Sequence, residues 1–285
     1  KALRRRRMAA KMRKRLAAAL FSAALTASIP SDAAALSIIA LSPQSAENLA
    51  SVGARDEITA VDSATRDIGV RPDLPAVSFA GQASLEEIAA RKPDLIVADK
   101  TFFPALSESL QKLTGFGIKI HLADLKSLDD LPGELITLGR LTGHEEQAEK
   151  QSEEFRKRLG EVRERYRTEK KIGTVFLVGS RPLIAATGGS YLSGMLGDCG
   201  ARNILSDLPG SYSAVNTEEV IRRRPELIID TSPEQDEKFR KMLSENGSRY
   251  LFIGWDPDII QITVKSADGL SRLCRKIAEA SAKGR

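Results

Sequence analysis

The chain has 285 residues, enough for two compact domains that each bury a core. Its formal net charge of +5 would fit a nucleic-acid binder, but nine Lys/Arg and one acid fall in residues 1–35. The remaining 34 basic and 37 acidic residues carry a net charge near −3, which excludes that class.

The first 35 residues read as a cleaved secretory signal. A basic stretch ends at Arg15, an apolar run of 14 residues covers Leu16–Ile29, and Ala33, Ala34 and Ala35 supply small residues for cleavage. The run is shorter than the roughly 20 residues a spanning helix needs. No Cys lies at the cleavage point to carry a lipid, and no Arg-Arg-x-Phe-Leu pattern occurs, so export unfolded is expected, with Met8 and Met12 as candidate starts. The expected organisation is signal 1–35, N-terminal lobe 36–142, inter-lobe helix 143–171 and C-terminal lobe 172–285.

From Leu36 onward, short β-rich apolar runs alternate with amphipathic stretches. Strands are expected at Leu36–Leu41, Leu95–Ala98, Lys119–Leu122, Thr174–Val178, Leu227–Asp230 and Leu251–Ile253. Helices are expected at Ala46–Val52, Leu85–Arg91, Leu106–Leu113, Leu128–Leu141 and Ser266–Ala282. This alternation predicts an α/β fold with parallel sheets wrapped by helices. Residues Glu145 to Lys170 break the rhythm: they are densely charged, and Ala148, Phe155, Leu159, Val162 and Tyr166 fall at spacings of 7, 4, 3 and 4. That is one narrow apolar stripe on a long helix, too short for a stable coiled coil and suited to joining two Rossmann-like lobes.

A repeat flanks this helix. Residues Ser84–Asp99 recur as Asn216–Thr231 at a constant offset of 132, with Glu86/Glu218, Glu87/Glu219, Arg91/Arg223, Pro93/Pro225, Leu95/Leu227 and Ile96/Ile228 identical. Ser84 and Asn216 are N-cap residues with a Glu three positions on, which predicts a capping box. Each helix must stop before its proline, where the ring blocks continuation. Capping leaves Glu86 and Glu218 unexplained; at the second helical position each points outward, one per lobe. An acid in the first turn also favours the helix dipole, which is their simpler reading.

The chemistry-bearing residues are few. No Gly-x-Ser-x-Gly elbow and no His-Glu-x-x-His occurs, so an enzyme is not expected. His121 and His144 are the only histidines, too few for a His-rich metal site, and no protein-bound metal or cofactor is expected. Cys199 and Cys274, in an exported chain, can pair or remain buried thiols. A ligand is expected between the lobes at the carboxyl ends of the strands. There lie Ser42-Pro43-Gln44, Asp99-Lys100-Thr101-Phe102, Ser180-Arg181-Pro182 and Gly254-Trp255-Asp256. Lys100 and Arg181 suit ligand anions, and Trp255, the single Trp, suits stacking on a planar macrocycle. Gly188-Gly189-Ser190 lacks the features of a phosphate loop and reads better as a turn, as does Asn246-Gly247-Ser248.

The repeat, the long linking helix and Leu41-Ser-Pro-Gln-Ser-Ala-Glu47 together resemble the substrate-binding proteins of ABC importers for cobalamin, ferric siderophores and haem. Leu196-Gly-Asp-Cys-Gly-Ala-Arg-Asn-Ile204 and Leu273-Cys274 are most similar to the cobalamin-binding members, in which the two Cys are joined. The resemblance implies a monomeric periplasmic protein that holds a large cobalt or iron chelate and delivers it to a permease with its ATPase. It implies that Glu86 and Glu218 dock on the permease, and that Tyr212 keeps an aromatic cleft position, with Phe102, Phe103, Tyr191 and Trp255 as substitutes for lost ones. Ala80 and Asp99 stand where those members carry Trp, and Ser63, Thr65 and Arg66 where they carry Tyr. The resulting polar cleft also suits an anionic ferric chelate. A two-lobed metal chelatase is the enzyme alternative, for which His121 would need company in the cleft.

Overall fold

The computed structural model describes residues 36–67, 71–79, 82–100, 108–232 and 237–282. The expected signal segment, and with it Ala80, Thr101, Phe102 and Phe103, lies outside them.

Two six-stranded sheets form the scaffold. The first holds β1 (Ile38–Ala40), β2 (Ile58–Asp62), β3 (Ala76–Phe79), β4 (Gln82–Ala83), β5 (Leu95–Asp99) and β6 (Lys119–Ala123) in the order β4-β3-β2-β1-β5-β6. All its pairings are parallel except β3 with β4. At its centre Ile38, Ile39 and Ala40 pair with Leu95, Ile96 and Val97, and all six are buried. Continuous apolar runs suit such strands because helices cover both faces. The second sheet holds β7 (Ile172–Ser180), β8 (Leu183–Ala186), β9 (Ala201–Asn203), β10 (Tyr212–Ala214), β11 (Leu227–Asp230) and β12 (Arg249–Phe252). Here β7, β11 and β12 are parallel neighbours. The other edge of β7 is shared: β9 pairs in parallel with its first residues, and β8 turns back antiparallel along its last ones, with β10 beyond. The expected parallel sheets thus carry antiparallel margins.

Helix Glu145–Tyr166 links the two halves. Ala148, Phe155, Leu159 and Val162 are buried along the stripe seen in the sequence, and Tyr166 packs beside them. They join one apolar core running from Leu49, Leu131 and Leu135 in the first lobe to Phe176, Leu196 and Leu270 in the second. Helix Leu131–Thr142 lies tight against the linking helix, where a side chain at Gly139 would run into Ala148. Arg163 ties the linker to both lobes, donating to Asp129 on one side and Asp198 on the other.

Several elements differ from expectation at their ends. The helix expected from Ala46 starts at Pro43, because Ser42 accepts the Ser45 N–H at 3.0 Å and proline suits the first helical turn. Residues Leu128–Asp130 form a 3-10 turn before the α-helix begins at Leu131. In the repeat only one arm of each capping box forms. Ser84 and Asn216 accept from the N–H of Glu87 and Glu219 at 3.2 and 2.7 Å. The Glu side chains instead turn along their helices, Glu87 to Arg91 and Glu219 to Arg222 and Arg223. A guanidinium offers a charge-assisted bond that a backbone N–H does not match.

Cys199, which caps helix Tyr191–Asp198, is bonded to Cys274 in helix Ser266–Ala282. The bridge spans 75 residues within the second lobe, for which chain entropy allows about 4 kcal/mol.

Candidate functional site

Loops that follow β1, β6 and β8 come together between the lobes. A cavity of about 360 Å³ lies there among the described residues. The first lobe lines it with Gln44, Leu125 and Lys126; the second with Gly188, Tyr191, Tyr212 and Ile262 among others. Gln44 is the second residue of helix Pro43–Ser51, set by the Ser42 cap so that its buried amide faces the opposite lobe. It donates to Asp99 at 2.6 Å and accepts the Ile262 N–H at 2.7 Å. One turn on, Asn48 donates to the Ile262 carbonyl at 3.0 Å, and Glu47 pairs with Lys265. A single helix face therefore holds the two lobes at the cavity floor.

The opposite wall depends on close backbone approach. A side chain at Gly188 would meet the Ser206 carbonyl, and one at Gly189 the Gly210 carbonyl. The Gly189 N–H donates to Gly210 at 3.1 Å, so it serves the loop rather than an anion. Ser190 caps the next helix by accepting the Leu192 N–H. That places Tyr191 in the first turn, buried, packed against the core and lining the cavity. The hydroxyl is sealed from solvent and interacts with the Tyr212 side chain. Burial pushes its pKa well above the ordinary phenol range, and the nearby Tyr212 hydroxyl and Asp99 carboxylate push the same way. Burial likewise raises Tyr212, partly offset by hydrogen bonding with Ser190 and Tyr191, and Asp99 adds to the rise. Both phenols stay protonated and neutral.

The expected ligand residues are dispersed. Tyr212 lines the cavity, and buried Asp99 lies behind Gln44. Ser42 and Pro43 build the helix start beneath it. Lys100 is exposed and pairs with Asp124 at 3.3 Å. Arg181 is exposed at the β7–β8 turn, and Trp255, 65% exposed, follows β12; neither lines the cavity. Phe102 lies outside the described residues. His121 packs against Glu134 at 2.8 Å, and no group of three metal-ligating side chains occurs among the described residues. Glu86 and Glu218 are exposed at the starts of helices Leu85–Ala90 and Thr217–Arg222. Because each helix runs back before its parallel strand, these starts face the end of the lobe where the strands finish. Gln44, Tyr191 and the Gly188-Gly189 turn are the cavity groups that motif reading undervalued, since none belongs to a spaced chemical signature.

Two α/β lobes, a connecting helix and a cavity between the lobes define a bilobal binding protein. The family model described as periplasmic binding protein matches residues 38–246, and the chain belongs to that family. The vitamin B12-binding protein of Vibrio campbellii is 33% identical over 192 residues, covering 67% of this chain and 69% of that one. That of Pectobacterium carotovorum subsp. carotovorum is 32% identical over 201 residues, covering 70% and 72%. Among solved structures, the periplasmic vitamin B12 binding protein BtuF of Vibrio cholerae matches with a TM-score of 0.76 at 23% identity, covering 86% of this chain and 97% of that one. The periplasmic heme-binding protein RhuT from Roseiflexus sp. RS-1 matches at 0.72 and 18%, covering 86% and 99%. At those identities the structural likeness shows the fold.

Proposed function

We propose that this protein captures a corrinoid of the cobalamin type in its inter-lobe cleft and delivers it to an ABC permease. The observation that carries the reading is the 33% identity, over two thirds of both chains, with a protein named for vitamin B12 binding. A corrinoid is larger than a cavity of 360 Å³, so it fills the cleft from that floor outward. Ser42, Pro43, Asp99, Lys100, Phe102, Arg181, Tyr212 and Trp255 then form or support its surroundings. Exposed Trp255 offers a stacking face, and Lys100 and Arg181 offer charges at the rim. Glu86 and Glu218 meet the two permease subunits, and residues 1–35 direct export. The chain divides as 36–142, 143–171 and 172–285, and acts as a monomer without a resident cofactor.

A ligand that binds only the folded state stabilises it by RT ln(1 + [L]/Kd), about 2.7 kcal/mol at a hundredfold excess over Kd. Thermal unfolding of ligand-free protein with cyanocobalamin, haem and ferric siderophores should give its largest shift with cyanocobalamin. A larger shift with haem or a ferric chelate replaces the corrinoid reading with the alternative in the same family.

A further inference from the structure

The lobes are joined along the linking helix by chain connectivity and a common apolar core. A second contact, between helix Pro43–Ser51 and the segment 261–266, has no such backing, its partners Gln44 and Ile262 lying 218 residues apart. Each half is fixed within its own lobe. Ser42 caps the helix by accepting the Ser45 N–H. In the segment the Thr263 N–H donates to the Ser266 hydroxyl at 2.9 Å, and that hydroxyl donates to the Gln261 carbonyl at 2.7 Å. The halves meet through side chains of one helical turn. Gln44 and Asn48 engage both backbone groups of Ile262, and Glu47 pairs with Lys265 beside them. Gln44 and Ile262 line the cavity, whereas Glu47, Asn48 and Lys265 do not.

The contact is ordered but not saturated. Asn48 is buried, and its Oδ1 meets no hydrogen-bond partner among the described residues. A buried acceptor left so raises the energy of the closed contact, and parting the halves gives it water. We infer that Asn48 and the Glu47–Lys265 pair clasp the two lobes together, and that the opening of this clasp sets how fast a held ligand leaves. They are positioning residues, which act on the ligand through the seating of Gln44 and Ile262. The inference rests on the ligand lying between the lobes, and it holds whichever chelate that ligand is.

Hydrogen exchange at the Ile262 amide reads the clasp directly, because its partner is Gln44 of the other lobe. The Ile260 and Gly269 amides bond within the second lobe, to Asp256 and Lys265, and serve as controls. Without ligand, Asn48→Ala and Lys265→Met should each exchange faster at Ile262 and leave both controls unchanged. The Lys265 side chain is 55% exposed, so its replacement spares the core. Asn48→Ala should release cyanocobalamin about five- to tenfold faster, the scale of one lost hydrogen bond. Lys265→Met should release it about twofold faster, as for a partly exposed ion pair. Unchanged Ile262 exchange in both variants overturns the proposal, and so does faster exchange with an unchanged dissociation rate. Faster exchange at the controls as well overturns it, because the segment then unfolds rather than parts from the helix. A wild-type protein that fails to bind cyanocobalamin overturns the corrinoid reading alone; Ile262 exchange and the release of haem or a ferric siderophore then decide the clasp.

Discussion

The two copies of the repeat, Ser84–Asp99 and Asn216–Thr231, separate what builds a lobe from what a lobe does. Both open on a capped helix of six residues with one buried apolar side chain, Ile88 or Val220. Both stop on a residue of positive φ followed by proline, and both continue into a fully buried strand. They diverge in their neighbours. Arg91 pairs with Glu87 alone, and that pair is half exposed. Its counterpart Arg223 bonds Glu219, Asp207 and, at 2.7 Å, the Ile204 carbonyl. At the far end Asp99 accepts from Gln44, whose amide oxygen takes the Ile262 N–H of the other lobe, whereas Thr231 donates to Leu177 within its own sheet. Backbone requirements stay the same in both copies; side chains that meet other parts differ.

The largest effect should come from the one exposed feature the copies share. If Glu86 and Glu218 dock symmetrically, Glu86→Lys and Glu218→Lys should each impair stimulation of the permease ATPase, and together abolish it. Ligand affinity should stay unchanged, because neither residue lines the cavity. Undiminished transport by the double variant would return both acids to the helix-dipole role.

Arg91→Met and Arg223→Met should break the likeness instead. The first should change stability by less than about 0.5 kcal/mol, as exposed pairs do. The second should cost about 1 kcal/mol through the lost bond to the Ile204 carbonyl, read by denaturant unfolding. Acid sharpens the contrast. Arg222 and then Arg223 hold the Glu219 carboxyl below its ordinary range, and Arg223 holds Asp207 below its own. The stability these carboxylates contribute is complete above their unfolded pKa values and lost as pH falls through the depressed folded ones. Arg223→Met should therefore flatten the decline of stability below about pH 4.5, and Arg91→Met should leave it steep. Parallel acid limbs for all three proteins would show that the Arg223 network contributes nothing.

The same division explains what was legible in the sequence. Strands β1, β5, β7 and β11 are buried on both faces and announced themselves as apolar runs. Strands β4, β8 and β10 are short and partly exposed at sheet margins, so composition hid them. Strand β2 was hidden by the polar residues Thr59 and Asp62 within it. The linking helix was legible because one stripe serves a core shared by both lobes. The capping boxes were half legible: the caps follow from Ser84 and Asn216, but where the Glu side chains turn depends on arginines across a helical turn. The cavity was hardest. Gln44 and Ile262 meet across 218 residues, and nothing in the sequence around Tyr191 sets it apart from any core tyrosine.

The smallest expected effect tests the backbone that the copies share. Lys92 and Arg224 stand 132 residues apart and are the described non-glycine residues with positive φ, 47° and 50°. Each follows the helix C-cap, where glycine is usual, and each still donates its N–H to the helix at 3.0 Å, to Ala89 or Ile221. A β-carbon in this left-handed region costs about 1–2 kcal/mol, while glycine loses about 0.5–1 kcal/mol more chain entropy on folding. Both side chains are exposed, so little packing is lost. Lys92→Gly and Arg224→Gly should each therefore stabilise by about 0.5–1 kcal/mol, and the gains should add because the sites lie in different lobes. Lys92→Ala and Arg224→Ala keep the β-carbon and should gain nothing. If alanine stabilises as much as glycine, the benefit comes from removing a charge, and the shared turn carries no strain. If glycine helps in one copy only, the two turns are alike in shape but held by different forces.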